Sequence, residues 1–262
     1  MTALAAPNRS VLRVELLGSG GYHPTERRHT ACVFLPELGL VLDAGTGAFR
    51  LHQRAEALTS NRLDVVLTHG HIDHIVGLTY LFWLHRGSEP VETVVHATPE
   101  TLAAVREHLL APALFPISPV TRYETLSESL TLASGARLTT FELDHPGGSV
   151  GLRIDHDGVS IGYVTDTRPI GEAAIEAIRG VDLLLHEAYF DASQAELAHD
   201  SGHCTAAAAA RTAVAAGAKR LVMMHFNPRA SEADEARALA EAREVFPTAE
   251  YGCDGMVMTI SR

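Results

Sequence analysis

Apolar residues along the chain fall into short runs of strand length, separated by turns and by segments with helical spacing. Residues 11–17, 31–35 and 40–43 are such runs, and the Gly-rich and Pro-containing turns between them predict a hairpin-rich sheet at the start of the fold. Further strands are predicted at residues 63–67, 93–97, 137–143, 150–154, 159–165, 181–186, 220–225 and 256–260.

Helical periodicity predicts helices among the later strands. They cover residues 72–85, 99–109, 171–179 and 205–216, and a last helix begins with Ser231-Glu-Ala-Asp234, the pattern of a capping box. Trp83 lies among apolar residues of the first helix and is expected in the core. Strands and helices in this order predict an α/β fold with two sheets between helices.

Length and composition indicate one globular domain, residues 1–262, because no linker, low-complexity tract or repeat divides the chain. The first ten residues lack the basic start and apolar stretch of a signal peptide, and no segment has the about 18 apolar residues needed to span a bilayer. Three cysteines without the spacing of a thiolate zinc site agree with a reducing compartment. A cytoplasmic protein without a membrane partner is expected.

The segment Thr-His-Gly-His-Ile-Asp-His at residues 68–74 gathers four potential metal ligands within six residues. It lies between a predicted strand and a predicted helix. In an extended loop alternate residues face the same way, so His69 and His71 can share one ion, while Asp73 and His74 point to a second. Imidazoles and a carboxylate buried together cost several kcal/mol unless something pairs them, and a divalent cation usually does. A metal site is predicted here.

Three further candidates, His145, Asp166 and His225, come at or directly after the ends of predicted strands. Catalytic groups are often held on loops at such places. Each of the three, taken singly, also fits a capping or surface role. Their order along the chain after the 68–74 segment favours their joining the same site.

The sequence resembles the metallo-β-lactamase superfamily, which has five ordered motifs, and the resemblance covers nearly the whole chain. The motifs are matched by Asp43 in Leu-Asp-Ala-Gly, the 68–74 segment, His145, Asp166 and His225. It implies a four-layer αββα sandwich with two divalent ions, zinc first, with manganese or iron as alternatives. The resemblance places Asp43 behind the ligands and Asp166 as a bridge between the ions. It assigns His69, His71 and His145 to one ion and Asp73, His74 and His225 to the other.

Two further segments are similar to motifs of the ribonuclease Z and phosphodiesterase branch of that superfamily. They are His186-Glu-Ala-Tyr-Phe190 and Gly202-His-Cys-Thr-Ala-Ala207. By resemblance, His203 contacts the substrate phosphate and protonates the leaving oxygen, and Glu187 orients its ring; a purely structural Glu–His pair is the alternative. Asp73 is also a candidate to accept a proton from the attacking water.

The resemblance to this branch implies a phosphodiesterase that uses a metal-activated hydroxide. The size of the substrate is inferred from two other features of the sequence. The long arm by which ribonuclease Z grips tRNA would fall between His145 and Asp166, where only 20 residues occur. The net charge of −11 also disfavours a broad surface for large nucleic acids. Small or cyclic phosphodiesters, or short nucleic-acid ends, are therefore the expected substrates.

Several alternatives stay open at this stage. A tRNA 3′-processing endonuclease is one, although the basic loop before residue 29 departs from the ribonuclease Z pattern at Arg28-His29. An acyl or lactone hydrolase is another, since the same metal chemistry attacks carbonyls. A metal-binding module without activity is the third. Arg27 or Arg28 is a candidate to contact a substrate phosphate, with a solvated loop arginine as the competing interpretation, and a homodimer is possible by resemblance.

Overall fold

The computed structural model describes residues Val11–Ser261. Two predictions lie wholly or partly outside the described residues. One is the absence of a signal peptide in the first ten residues, and the other is the single domain, at residues 1–10 and 262. Across the described part of the chain, every helix is too short or too polar to traverse a lipid bilayer.

Seven strands form the first sheet, in the order β16-β1-β2-β3-β4-β7-β8. The pairs β16–β1, β1–β2 and β2–β3 are antiparallel, whereas β3, β4, β7 and β8 run parallel to one another. The small hairpin β5–β6 lies outside this sheet. These strands are β1 Val11–Gly18, β2 Cys32–Leu35, β3 Leu40–Leu42, β4 Arg62–Val66, β5 His85–Arg86, β6 Glu89–Pro90, β7 Glu92–Ala97, β8 Arg122–Thr125 and β16 Val257–Ser261.

The second sheet also has seven strands, in the order β15-β14-β13-β12-β11-β10-β9. β12 to β15 are parallel, and β10 runs in their direction because β10, β11 and β12 are antiparallel in turn. The carboxyl ends of β10, β12, β13 and β14 therefore meet at one edge. The strands are β9 Ser129–Thr131, β10 Arg137–Leu143, β11 Ser149–His156, β12 Val159–Val164, β13 Leu183–Glu187, β14 Leu221–Met224 and β15 Glu250–Tyr251.

Helical segments cover the outer faces of both sheets. They are α1 Ile72–Ile75, α2 Pro99–Ala103, α3 Glu172–Ala177, α4 Ala195–Ser201, α5 Ala206–Ala216 and α6 Glu232–Val245, with 3-10 turns at Pro36–Leu38, Thr46–Gln53, Ala55–Ala57, Val76–Tyr80 and Ala192–Gln194 and a π-helical turn at Ala104–Leu109. Ser231 and Asp234 form the predicted capping box at the start of α6.

Three apolar layers hold the fold together. Inward-facing residues such as Val14 of β1 and Ile161 of β12 fill the space between the two sheets. A second layer, with Phe34 and Leu78, joins the first sheet to the helical segments outside it, and a third packs α5 and α6 on the second sheet. This arrangement confirms the predicted αββα sandwich.

The predicted helix at 72–85 is wrong, because α1 ends at Ile75 and only a 3-10 turn follows. The carbonyl of Asp73 accepts from the Thr30 hydroxyl, and the N–H of Gly77 donates to Ala44 O, so these groups are not free for helical bonds. The prediction that Trp83 lies in the core is also wrong: its side chain is 73% exposed, because the chain has already left the helix before this position.

Candidate metal centre

All seven predicted ligands lie together at the carboxyl ends of the strands. β4 leads directly into the 68–74 segment in the first sheet, and in the second sheet β10, β12 and β14 lead to the remaining three ligands. Five of them line a pocket of about 360 Å³ together with Tyr22, Tyr189 and His203; these five are His71, Asp73, His145, Asp166 and His225. Six of the seven side chains are buried, and His71 is the exposed one. The two parallel regions therefore position one compact set of nitrogen and oxygen donors.

Asp166 lies between two groups of imidazoles, and its two oxygens face different groups. Oδ1 is 3.2 Å from Nε2 of His74 and 3.1 Å from Nε2 of His225. Oδ2 is 3.7 Å from Nε2 of His69 and 3.6 Å from Nε2 of His145. The hydroxyl of Thr165 donates to Oδ1 at 2.8 Å, which fixes the orientation of the carboxylate. A carboxylate in this position can bridge two cations.

Facing imidazole nitrogens mark each side of Asp166. On one side, Nδ1 of His71 lies 3.2 Å from Nε2 of His145; on the other, Nε2 of His74 lies 3.1 Å from Nε2 of His225. Two nitrogens bound to a single zinc ion at 2.0–2.1 Å lie roughly 3.3 Å apart in tetrahedral geometry. Both separations fit a shared cation on each side.

Hydrogen bonds to the opposite ring nitrogens orient two of the imidazoles. Nδ1 of His145 donates to the carbonyl of Gly202 at 2.8 Å, and Nδ1 of His74 donates to Asp43 Oδ2 at 2.9 Å. These bonds occupy Nδ1 of each ring, so Nε2 is the nitrogen that faces Asp166 and can bind a metal ion, which would displace any proton held there. Asp43 thus contacts His74 through the ring nitrogen opposite the one that faces Asp166.

The protonation behaviour of the pocket also fits a divalent cation. Burial lowers the pKa of His69 well below its usual value, so this imidazole is neutral, and its buried Nε2 has no hydrogen-bond partner. Burial alone would lower the pKa of His74, but Asp166, Asp73 and Asp43 together raise it well above the usual value. A negative potential strong enough to hold a proton there would equally attract a metal ion.

Asp73 completes the second side of the site. Its Oδ2 lies 3.5 Å from Nε2 of His74 and 3.4 Å from Nε2 of His225, and it accepts a hydrogen bond from the backbone N–H of Tyr22 at 2.6 Å. Burial acts to raise the pKa of this carboxyl, but the effect of His74 and His225 is larger and lowers the pKa below its usual value. Asp73 is therefore ionised at neutral pH.

His203 and Glu187 form a pair at the wall of the same pocket. Nδ1 of His203 is 3.2 Å from Oε1 of Glu187, which is fully buried at the end of β13. The backbone N–H groups of Thr167 and Cys204 donate to the two oxygens of Glu187, at 2.6 and 3.2 Å. Burial opposes protonation of His203, but Glu187 raises the pKa of the ring above its usual value. The pair therefore favours an imidazolium next to the donors.

The two arginines of the 24–28 loop are engaged elsewhere. Arg27 pairs with Glu235 at 3.1 Å. Arg28 also pairs with Glu235 at 3.1 Å and donates to the carbonyl of Gly252 at 2.6 Å, while its guanidinium lies over the ring of Phe226. Arg28 is thus part of the packing, so the interpretation of a solvated loop residue is wrong for it, and neither arginine lines the metal pocket.

Sequence reasoning did not identify Tyr22 and Tyr189 as residues of the site. Tyr189 lies in the 186–190 segment. Its ring stacks on that of His203, with centroids 4.3 Å apart and an interplanar angle of 9°. Tyr22 precedes the basic loop in a stretch without a recognisable motif. A signal for Tyr189 existed, because this residue belongs to the 186–190 segment that the sequence analysis singled out.

Residues 40–226, more than half of the chain, match the sequence family described as the Beta-lactamase superfamily domain. The chain belongs to this superfamily. It is similar to two curated relatives named Ribonuclease Z. The relative from Synechococcus sp. (strain WH7803) is 27% identical over 95% of this chain and 97% of its own length, and that from Ignicoccus hospitalis is 28% identical over 90% and 94%.

Solved structures of superfamily proteins share the fold. The metallo-β-lactamase fold protein YhfI from Bacillus subtilis has a TM-score of 0.78 at 21% identity and covers 96% of this chain and 100% of its own. Human tRNase Z, short form, has a TM-score of 0.73 at 23% identity, with coverages of 94% and 98%. The superfamily, the fold and a metal-dependent hydrolase activity were all predicted from the sequence, and the matches confirm them.

Proposed function

We propose that the protein is a phosphodiesterase that hydrolyses small or cyclic phosphodiesters, or short nucleic-acid ends, with two divalent ions. One ion would be held by His69, His71 and His145. The other would be held by Asp73, His74 and His225, and Asp166 would bind both ions. Nitrogen-rich donors of this kind suit zinc, with manganese or iron as alternatives. Such a pair of ions supplies an activated water and neutralises phosphoryl oxygens.

The position of the His203–Glu187 pair carries the proposal. Nδ1 of His203 is occupied by Glu187, so Nε2 is the atom that can give a proton to a departing alkoxide. Its ring centroid lies 5.1 Å from that of His145 and 5.7 Å from that of His225, beside both groups of ligands. An alkoxide leaving from phosphorus needs such an acid, because it is a poor leaving group unprotonated.

Asp73 is proposed to act as a base as well as a ligand. One of its oxygens accepts a hydrogen bond from the N–H of Tyr22, and the carboxylate lines the pocket. It can therefore accept the proton of the attacking water and keep it away from His203, which must stay protonated until the leaving oxygen departs.

Hydrolysis of bis-p-nitrophenyl phosphate by protein loaded with zinc or manganese tests the proposal. Turnover is expected to be lost in Asp166→Ala and only modestly reduced in His203→Ala, because p-nitrophenolate departs readily without a proton. His199→Ala is the matched control, since His199 is an exposed histidine outside the pocket, and it should behave as the wild type. Turnover of p-nitrophenyl acetate without turnover of the diester would instead favour the acyl or lactone hydrolase.

A second candidate is a tRNA 3′-processing endonuclease, favoured by the relatives named Ribonuclease Z that align with nearly the whole chain. The 20 residues between His145 and Asp166 are a tight hairpin of β11 and β12, which leaves no arm at this place to hold tRNA. Cleavage of a precursor tRNA with a 3′ extension at rates above those for dinucleotides would favour the endonuclease over the small-substrate enzyme.

A further inference from the structure

A second cavity, of about 630 Å³, adjoins the metal pocket, and Tyr22 and Tyr189 line both spaces. Cavities that bind small molecules usually measure about 300–1,000 Å³. Besides Tyr22, the second cavity is lined by residues of the loop after β13, of α4, of the loop after β14 and of α6. A substrate held at the metal pocket could therefore extend past the two tyrosines into a space large enough for a nucleotide.

The two tyrosines are positioned differently. Tyr189 stacks on His203 and lies 5.6 Å from the ring of His225, so it is fixed against the metal pocket. The backbone of Tyr22 is fixed by its N–H bond to Asp73, whereas its side chain is 61% exposed. Flat rings stack on such aromatic faces whatever their hydrogen-bonding pattern. The passage between the cavities thus suits a planar group.

The charges in the second cavity are paired except for one. Arg237 pairs with Asp191 at 2.7 Å and with Asp234 at 2.6 Å. Across residues 11–261, no hydrogen bond or ion pair engages the guanidinium of Arg229, which lines this cavity. A guanidinium available in this way matches a phosphate, which it can bind through two parallel hydrogen bonds.

We infer that the second cavity binds a nucleotide on the leaving side of the substrate, with its base against Tyr22 and Tyr189 and a second phosphate at Arg229. The inference rests on the proposed phosphodiester hydrolysis. Tyr189 stacks on His203, the proposed acid, so an alcohol that takes its proton from His203 departs along the wall that leads into this cavity. The substrate class is then a small nucleotide phosphodiester with a further phosphate.

Binding measurements on the metal-loaded protein test this inference without relying on turnover. Titration calorimetry would compare inorganic phosphate, adenosine 5′-monophosphate and adenosine 3′,5′-bisphosphate. The monophosphate is expected to bind roughly 5- to 100-fold more tightly than phosphate because its base stacks. The bisphosphate is expected to gain a further factor of about 10 or more from Arg229.

Two variants separate these contributions. Arg229→Ala should abolish the advantage of the bisphosphate over the monophosphate and preserve that of the monophosphate over phosphate. Tyr22→Asn should reduce the advantage of the monophosphate; asparagine is chosen because Tyr22 has φ +62°, which asparagine tolerates better than alanine. Arg211→Ala is the control, because Arg211 is exposed on α5 and lines neither space, and it should leave all three affinities unchanged.

Equal affinity of the wild type for phosphate and the monophosphate would overturn the inference, as would a bisphosphate advantage that survives in Arg229→Ala. If bis-p-nitrophenyl phosphate is still hydrolysed in that case, only the assignment of the cavity fails. If instead no diester is hydrolysed while the nucleotide preference and its loss in Arg229→Ala are observed, the cavity assignment is supported and the proposed reaction is contradicted.

Discussion

Nδ1 of His74 lies 2.9 Å from Oδ2 of Asp43, and both side chains are completely buried. The same carboxylate accepts from the N–H and hydroxyl of Thr68 and from the hydroxyl of Tyr163. Asp43 therefore links the strand that ends before it, the ligand loop and the second sheet. Its negative charge also fixes which nitrogen of His74 faces the pocket.

Asp43→Asn should weaken metal binding on the His74 side by about 10- to 100-fold, because an amide orients the imidazole less strongly than a carboxylate. Competition with a chromogenic chelator measures the affinity. Asp64→Asn is a matched control. Asp64 is buried and accepts a hydrogen bond of 2.8 Å from buried His96, and neither residue lines the metal pocket. Equal metal affinity in Asp43→Asn and wild type would contradict this role.

Asp64 should stabilise the fold in a pH-dependent way. Burial would raise the pKa of its carboxyl, but hydrogen bonds from His96 and Arg62 lower it. A carboxyl whose pKa is lowered on folding adds stability that is complete above its unfolded pKa of about 3.9 and is lost as the pH falls through the folded value.

Urea unfolding of the metal-free protein would measure this. Asp64→Asn should lower the free energy of unfolding by about 1–3 kcal/mol at pH 7. The difference from the wild type should shrink once the pH falls below about 4. A difference that stays constant across this range would show that the charge of Asp64 is not the stabilising feature.

Glu187→Gln should impair hydrolysis selectively for substrates with poor leaving groups. Glu187 positions His203, and protonation matters more for an alkoxide than for p-nitrophenolate, which departs readily unprotonated. The loss of kcat for a dinucleotide should approach that of His203→Ala, about 100-fold or more, with a much smaller loss for bis-p-nitrophenyl phosphate. A purely structural pair would reduce both rates equally, and metal content should stay at the wild-type level.

Gly21 lies against the ring of His225. A Cβ added at this position would come 2.5 Å from Cε1 and 2.7 Å from Nε2 of that ring, so Gly21→Ala should displace His225 and lower the metal content. In Gly171→Ala a Cβ meets nothing within 4 Å, and this variant should bind metal as the wild type does. Elemental analysis after dialysis compares the two, and equal content would mean that the ring of His225 is not needed at its present place.

Much of the fold was predictable because the buried strands are nearly continuous apolar runs. The strands β3 and β14 consist of such runs, and the candidate ligands follow at the ends of strands, where loops from both sheets meet. The edge strand β8 was not predicted, because its residues are half-exposed and include Arg122 and Glu124. An edge strand of this kind has little hydrophobic pattern to detect.

The errors in the first predicted helix have a tertiary cause. Residues 72–85 have helical spacing, yet the carbonyl of His74 accepts from the N–H of Ala44, and a Cβ on Gly77 would lie 2.1 Å from the carbonyl oxygen of Gly45. The close packing of the Asp43 loop against the ligand loop thus interrupts the helix. Local sequence contains no information on this contact, and the exposure of Trp83 follows from it.

Titration of chelator-treated protein with zinc or manganese, followed by both metal content and hydrolysis of bis-p-nitrophenyl phosphate, tests the central proposal most directly. We expect two equivalents to bind, with diester hydrolysis reaching its maximum only as the second is bound, and with both features lost in Asp166→Ala. Full activity at one equivalent, or two bound equivalents without any diester hydrolysis, would contradict a binuclear phosphodiesterase.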